Sequence, residues 1–109
     1  MPHQNHKSGL EIVLQCAVEC EHCADECIGN MPECARLCRD CSQLCWAIAG
    51  FMSRGSRFIA PLCRTCLEIC EACAKECQKH NNTHCQNCAK ACQNVAEEYR
   101  KIAMVGAAI

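Results

Sequence analysis

The stretch Cys63-Arg64-Thr65-Cys66-Leu67-Glu68-Ile69-Cys70-Glu71-Ala72-Cys73-Ala74-Lys75-Glu76-Cys77 places a cysteine at every third or fourth residue. Steps of three and four average half a heptad, the spacing that keeps one stripe of an α-helix facing a partner helix, whereas a strand would need steps of two. The same alternation recurs in Cys16, Cys20, Cys23 and Cys27, in Cys34, Cys38, Cys41 and Cys45, and in Cys85, Cys88 and Cys92. These groups hold all 16 cysteines of the 109-residue chain. They predict four helices, each striped with thiols.

The segments between the groups carry helix boundary signals. Ser8-Gly9-Leu10-Glu11 reads as a capping box in which serine and glutamate satisfy free backbone donors, and predicts a first helix over residues 8–28. Gly29 suits a C-terminal cap, and Asn30-Met31-Pro32-Glu33 offers a cap, a proline tolerated in the first turn and an acid near the positive helix end. The second helix is expected over 32–52, followed by a turn at Ser53-Arg54-Gly55-Ser56. The third spans 57–79, with Pro61 in its early turns and room there for a local kink. Lys79-His80-Asn81-Asn82 is the last connection, and Thr83 with Gln86 forms a second capping-box pattern opening a fourth helix over 83–105.

Connections this short make consecutive helices antiparallel neighbours, so the fold class is all-α: an up-down-up-down four-helix bundle with a cysteine-lined core, as one domain over 1–109. The starts of helices one and three then share a pole with the ends of two and four. At that pole the stripes continue as Val13, Ile48, Met52, Ile59, Val95, Tyr99 and Ile102, an apolar plug. At the opposite pole stand Met31, His80 and His84, which makes that pole the expected mouth. His22 falls on an outer face, and His3 and His6 lie in a tail, residues 1–7, expected to be flexible.

Composition narrows the function. Eleven basic against twelve acidic side chains leave a formal net charge of -1, so there is no basic field to attract nucleic acid or an anionic membrane. The amino terminus lacks an apolar signal run and no segment is apolar for long enough to span a bilayer, which predicts a cytoplasmic protein. A reducing compartment keeps thiols free and favours metal binding over a disulfide framework. Residues three or four apart on a helix also have Cβ atoms about 5–6 Å apart, beyond the ~3.8 Å of a disulfide. A purely structural thiol core would be thin and poorly filled where leucine-sized side chains are missing, so something else is expected in that volume.

A metal answers both points, since two sulfurs with bonds of about 2.3 Å to one ion stand up to ~4.6 Å apart. Soft thiolates select copper(I), zinc or iron–sulfur clusters. Zinc wants a tetrahedron, to which parallel helical stripes look less suited, and the loop-borne cysteine run of iron–sulfur proteins is absent. Multiple Cu(I) ions are therefore the expected cargo of Cys16, Cys20, Cys23, Cys27, Cys34, Cys38, Cys41, Cys45, Cys63, Cys66, Cys70, Cys73, Cys77, Cys85, Cys88 and Cys92. Counting ligands gives about 8 ions unshared and about 16 if every sulfur bridges two. His80, His84 and Met31 are candidate ligands at the mouth, set against a reading as solvated loop residues and a cap contact. A zinc- or cadmium-sequestering protein of metallothionein character and an iron–sulfur electron carrier remain the alternatives. No lone activated cysteine suggests an enzyme.

With Cys16-x3-Cys20-x2-Cys23-x3-Cys27, Cys34-x3-Cys38-x2-Cys41-x3-Cys45, the Cys63–Cys77 run and the shorter set ending at Cys92, the chain resembles the bacterial copper storage proteins along nearly its whole length, and within them the cytosolic branch. The resemblance implies Cu(I) held by thiolates within and between helices, uptake at one open end, and a homotetramer of bundles. Leu37, Leu44 and Phe51, at heptad spacing beside the second stripe, fit such an interface or ordinary bundle packing. It also implies a role in buffering copper below toxic levels, with exchange to a copper chaperone or efflux system, and no catalysis.

Overall fold

The computed structural model describes the backbone of residues 7–108 and the side chains of residues 9–104. Helix α1 spans Lys7–Cys27, α2 Pro32–Ser53, α3 Ile59–Gln78 and α4 Thr83–Ala108. Each helix packs on its neighbours in sequence, α1 closes the ring against α4, and the backbones of the diagonal pairs stay apart, α2 and α4 meeting only through side chains such as Cys38 and Cys88. That arrangement is the expected up-down-up-down bundle, about twice as long as it is wide, with extents of 43 × 21 × 17 Å. The expected tail falls outside the described residues up to His6, while Lys7 is already helical.

The helix ends differ from the sequence reading in instructive ways. Gly29 has φ +93°, a left-handed conformation that suits a residue without Cβ, and the Met31 N–H closes the turn on the Cys27 carbonyl at 2.9 Å. Met31, not Asn30, occupies the N-cap of α2 and offers no side-chain cap, with Pro32 behind it and Glu33 in the first turn. At the end of α2 the Ser56 N–H reaches back to the Phe51 carbonyl at 3.0 Å and the Gly55 N–H to Met52 at 3.2 Å. This double closure uses the chain through Ser56, so α3 starts at Ile59 rather than at 57. Pro61 is then its third residue, where the missing N–H has no intrahelical acceptor to lose and gives no cause for a kink.

Neither Ser8 nor Thr83 stands just ahead of its helix as a capping box would place it. The first helix already contains Lys7, which puts Ser8 inside it, and the Ser8 side chain lies outside the described residues. In α4 the Gln86 side chain does not return to Thr83; its Nε2 donates to the His80 carbonyl at 2.6 Å, pinning the loop to the helix. The fourth helix also runs past 105 to Ala108, because a single glycine near a helix end, Gly106, costs too little to stop it.

All 16 cysteines are at most 1 % exposed and all are free thiols. Ala17, Ala24, Ala49, Ala74, Ala89, Ala91 and Ala96 share the buried layer with the thiols. The apolar pole is as anticipated: Val13, Ile48, Met52, Val95 and Tyr99 are fully buried, Ile59 nearly so, and Ile102 packs against them. One buried polar side chain, Ser42, donates to Glu21 Oε1 at 2.7 Å and ties α2 to α1. No described helix is long and apolar enough to cross a membrane.

Candidate metal centre

The thiol stripes meet along the bundle axis and make a continuous network. Within helices, sulfurs four residues apart approach one another: Cys16 and Cys20 at 3.8 Å, Cys23 and Cys27 at 3.9 Å, Cys34 and Cys38 at 4.0 Å, Cys66 and Cys70 at 3.8 Å. Between helices the distances are as short: Cys20 to Cys88 3.5 Å, Cys34 to Cys77 3.6 Å, Cys38 to Cys73 3.6 Å, Cys41 to Cys70 3.4 Å. Cysteines three apart do not pair with each other; Cys20 reaches instead to Cys88 and Cys23 to Cys85 at 3.9 Å.

Five overlapping quartets result, in each of which the four sulfurs lie within 4.8 Å of one another. From the pole of Met31 and His84 inward they are Cys23, Cys27, Cys34 and Cys85; Cys23, Cys38, Cys77 and Cys88; Cys20, Cys73, Cys88 and Cys92; Cys16, Cys20, Cys41 and Cys92; and Cys16, Cys41, Cys45 and Cys70. Successive quartets share one or two sulfurs, so an ion in one stands beside an ion in the next, bridged by a common thiolate. Bonds of about 2.3 Å put sulfurs ~3.8 Å apart around a tetrahedral ion, ~4.0 Å around a trigonal one and ~4.6 Å around a linear one. The quartets admit all three. Each quartet draws its sulfurs from three or four helices, so four-coordination is open to it beside the lower coordination that the stripes suggested.

The candidate ligands at the mouth are placed unequally. His84 Nδ1 stands 3.6 Å from Cys23 Sγ and 3.5 Å from Cys85 Sγ, beside the outermost quartet. His80 lies beyond the end of α3 and turns its Nε2 to Glu76 Oε2 at 3.1 Å rather than to a sulfur. Met31 Sδ accepts from Asn82 Nδ2 at 3.8 Å and packs on the core. His22, read as merely exposed, is exposed but presents its ring edge-on to His84 with centroids 6.3 Å apart. A signal was available, since His22-Cys23 and His84-Cys85 are matching dipeptides on neighbouring helices.

Burial opposes thiolate formation over most of the core, because the charged form loses its hydration. Desolvation is the leading cause that raises Cys27 and Cys34, and that pushes Cys85 to about 12. Cys63 likewise rises to about 12 through burial, with the Glu98 carboxylate adding to it. Cys23 goes the other way, held at about 5 by hydrogen bonding from the Cys38 thiol first, with Cys88 and His84 contributing. Cys41 and Cys77 are lowered as well, through hydrogen bonds from neighbouring thiols, Cys16 first for Cys41 and Cys23 first for Cys77.

Thiol quartets fused into a column inside four helices define a class of protein: a bundle that sequesters soft metal ions in its own core. Residues 2–104 match the copper storage protein family, and the chain belongs to it. Among solved structures it is similar to the Cu(I)-bound copper storage protein BsCsp3, with 37 % identity and a TM-score of 0.85 over 90 % of this chain and 97 % of that one. It is equally similar to apo copper storage protein 3 from Bacillus subtilis, with 39 % identity and a TM-score of 0.85 over 90 % and 98 % of the two chains. No curated protein matches.

Proposed function

We propose that this protein stores Cu(I), many ions at a time, on the thiolates of its core, and so keeps free copper low. The observation that carries this reading is the overlap of the quartets: shared sulfurs suit a cargo of many ions, where an isolated quartet would suit one structural ion. Each thiol that takes up Cu(I) gives its proton to solvent and forms a sulfur–copper bond, with no electron transferred. At one Cu(I) per thiolate the ions replace the lost protons one for one, so full sharing leaves the dry core neutral.

Cu(I) enters at the pole of Met31, His80 and His84. There His84 and the readily ionised Cys23 receive the ion first, Met31 and His80 lend weaker contacts at the rim, and the shared sulfurs Cys23, Cys88, Cys20, Cys92, Cys16 and Cys41 pass it inward. Replacing His84 with alanine should slow copper uptake several-fold in stopped-flow mixing while leaving the final copper content unchanged. The role is storage rather than catalysis, and the setting is the cytoplasm, where thiols stay reduced. A copper chaperone or efflux system would supply or drain the store. Family resemblance points to a homotetramer, for which the half-buried Leu37, Leu44 and Phe51 beside the exposed Trp46 on α2 offer an apolar face; sedimentation would read the mass directly.

The quartet geometry alone would also serve zinc. Elemental analysis of protein produced in medium balanced in copper and zinc separates the two, with copper in large excess supporting storage of Cu(I) and zinc in excess refuting it.

A further inference from the structure

The thiol column ends before the bundle does. Cys45 Sγ, in the innermost quartet, lies 3.8 Å from Cys66 Sγ and accepts a hydrogen bond from the Tyr99 hydroxyl at 3.3 Å. Tyr99 is fully buried and is the sole tyrosine of the chain. On α4 the steps that link Cys85, Cys88 and Cys92 lead next to Val95 and Tyr99. An apolar side chain and a phenol therefore stand where two further thiols would lengthen the column.

Cys63 is left on the far side of this boundary. It is fully buried, yet its sulfur makes no hydrogen bond to another thiol and joins none of the groups of ligand atoms lying within 4.8 Å of one another among the described residues. The stripe beyond it continues as the buried apolar residue Ile59, which supplies no second thiolate. A single sulfur cannot complete the coordination of Cu(I), and the Glu98 carboxylate that acts on Cys63 does not join it in any group of three or more ligand atoms.

We propose that Tyr99 is the floor of the copper store: its hydroxyl donates to the outward side of Cys45, the metal column stops at the Cys45–Cys66 layer, and Cys63 remains a metal-free thiol in the saturated protein. Tyr99 is a positioning residue, and the hydrogen bond it makes steadies the charge on a thiolate that has ions on one side only. The inference rests on the reading of the core as a Cu(I) store.

Infrared spectroscopy of the intact chain saturated with Cu(I) tests it without a variant, because the S–H stretch counts protonated thiols. A residual band is expected, and it should vanish in Cys63→Ala, whose copper content should equal that of the unaltered protein. Cys66→Ala should lose at least one ion. In Tyr99→Cys, checked for retained helicity, capacity should rise as the column gains a thiol beside Cys45. Tyr99→Phe should keep the capacity but loosen the most weakly held ion roughly tenfold, the size expected of one hydrogen bond to a charged sulfur. In the unaltered protein the near-ultraviolet band of the lone tyrosine should shift as loading completes, a response that a merely packed ring would not give. Loss of copper in Cys63→Ala, or a saturated protein with no S–H band, would overturn the proposal while leaving storage intact. Failure of the unaltered protein to retain more than one or two ions would instead remove the storage reading itself.

Discussion

A cysteine here is defined by what its sulfur faces. Cys41 has sulfur neighbours on three helices, with Cys16 at 3.8 Å, Cys70 at 3.4 Å and Cys92 at 3.9 Å, and sits in two quartets. Exchange of Cys41 for serine should therefore remove more than one ion's worth of binding in a copper titration, whereas a substitution at the solitary Cys63 should not. That contrast was not legible in the sequence, where both residues are steps in equally regular runs. Period fixes which face of a helix a thiol occupies, but its partners depend on how far neighbouring helices slide past each other. Ser42 was hidden for a related reason: a serine beside a stripe looks like an ordinary solvated position until α1 brings Glu21 over it. Ser42→Ala should lower the stability of the metal-free protein by about 1 kcal/mol in urea unfolding, the usual net value of one hydrogen bond.

Among the elements, the helices were legible and their ends much less so. Three-and-four spacing survives any detail of capping, which is why four stripes were enough to place α1 to α4. The ends depend on choices among competing donors: Gln86 prefers the His80 carbonyl at 2.6 Å to the capping box its spacing suggests. Gly29 was readable as a stop because only a left-handed residue closes the turn after Cys27. No atom lies within 4 Å of the Cβ that alanine would add there, so the cost of Gly29→Ala is conformational alone. It should be about 1 kcal/mol, seen as a lower midpoint in denaturant with an unchanged slope.

At the scale of the whole molecule, the metal-free and metal-filled bundles should respond to pH in opposite senses. Cys63 and Cys85 are raised from 9.0 to about 12, and Cys92 to about 11, so the folded state holds protons that the unfolded chain releases. Stability from these groups is complete below the unfolded value near pH 9 and is lost as pH climbs toward 12, which thermal unfolding of the reduced, metal-free protein from pH 8 to 11 should show as a steady fall in Tm. Copper binding runs the other way and tightens with rising pH, because every ion displaces protons. The inward convergence of the thiols and the apolar pole were both readable from periodicity, while the fusion of quartets into one column emerges only when four helices are assembled. Storage depends on that column, and its most direct measurement is an anaerobic titration of the reduced protein with Cu(I) against a competing chelator. The account predicts that the protein outcompetes the chelator for many ions, on the order of one for each thiol in the connected network at full sharing; saturation after one or two would contradict it.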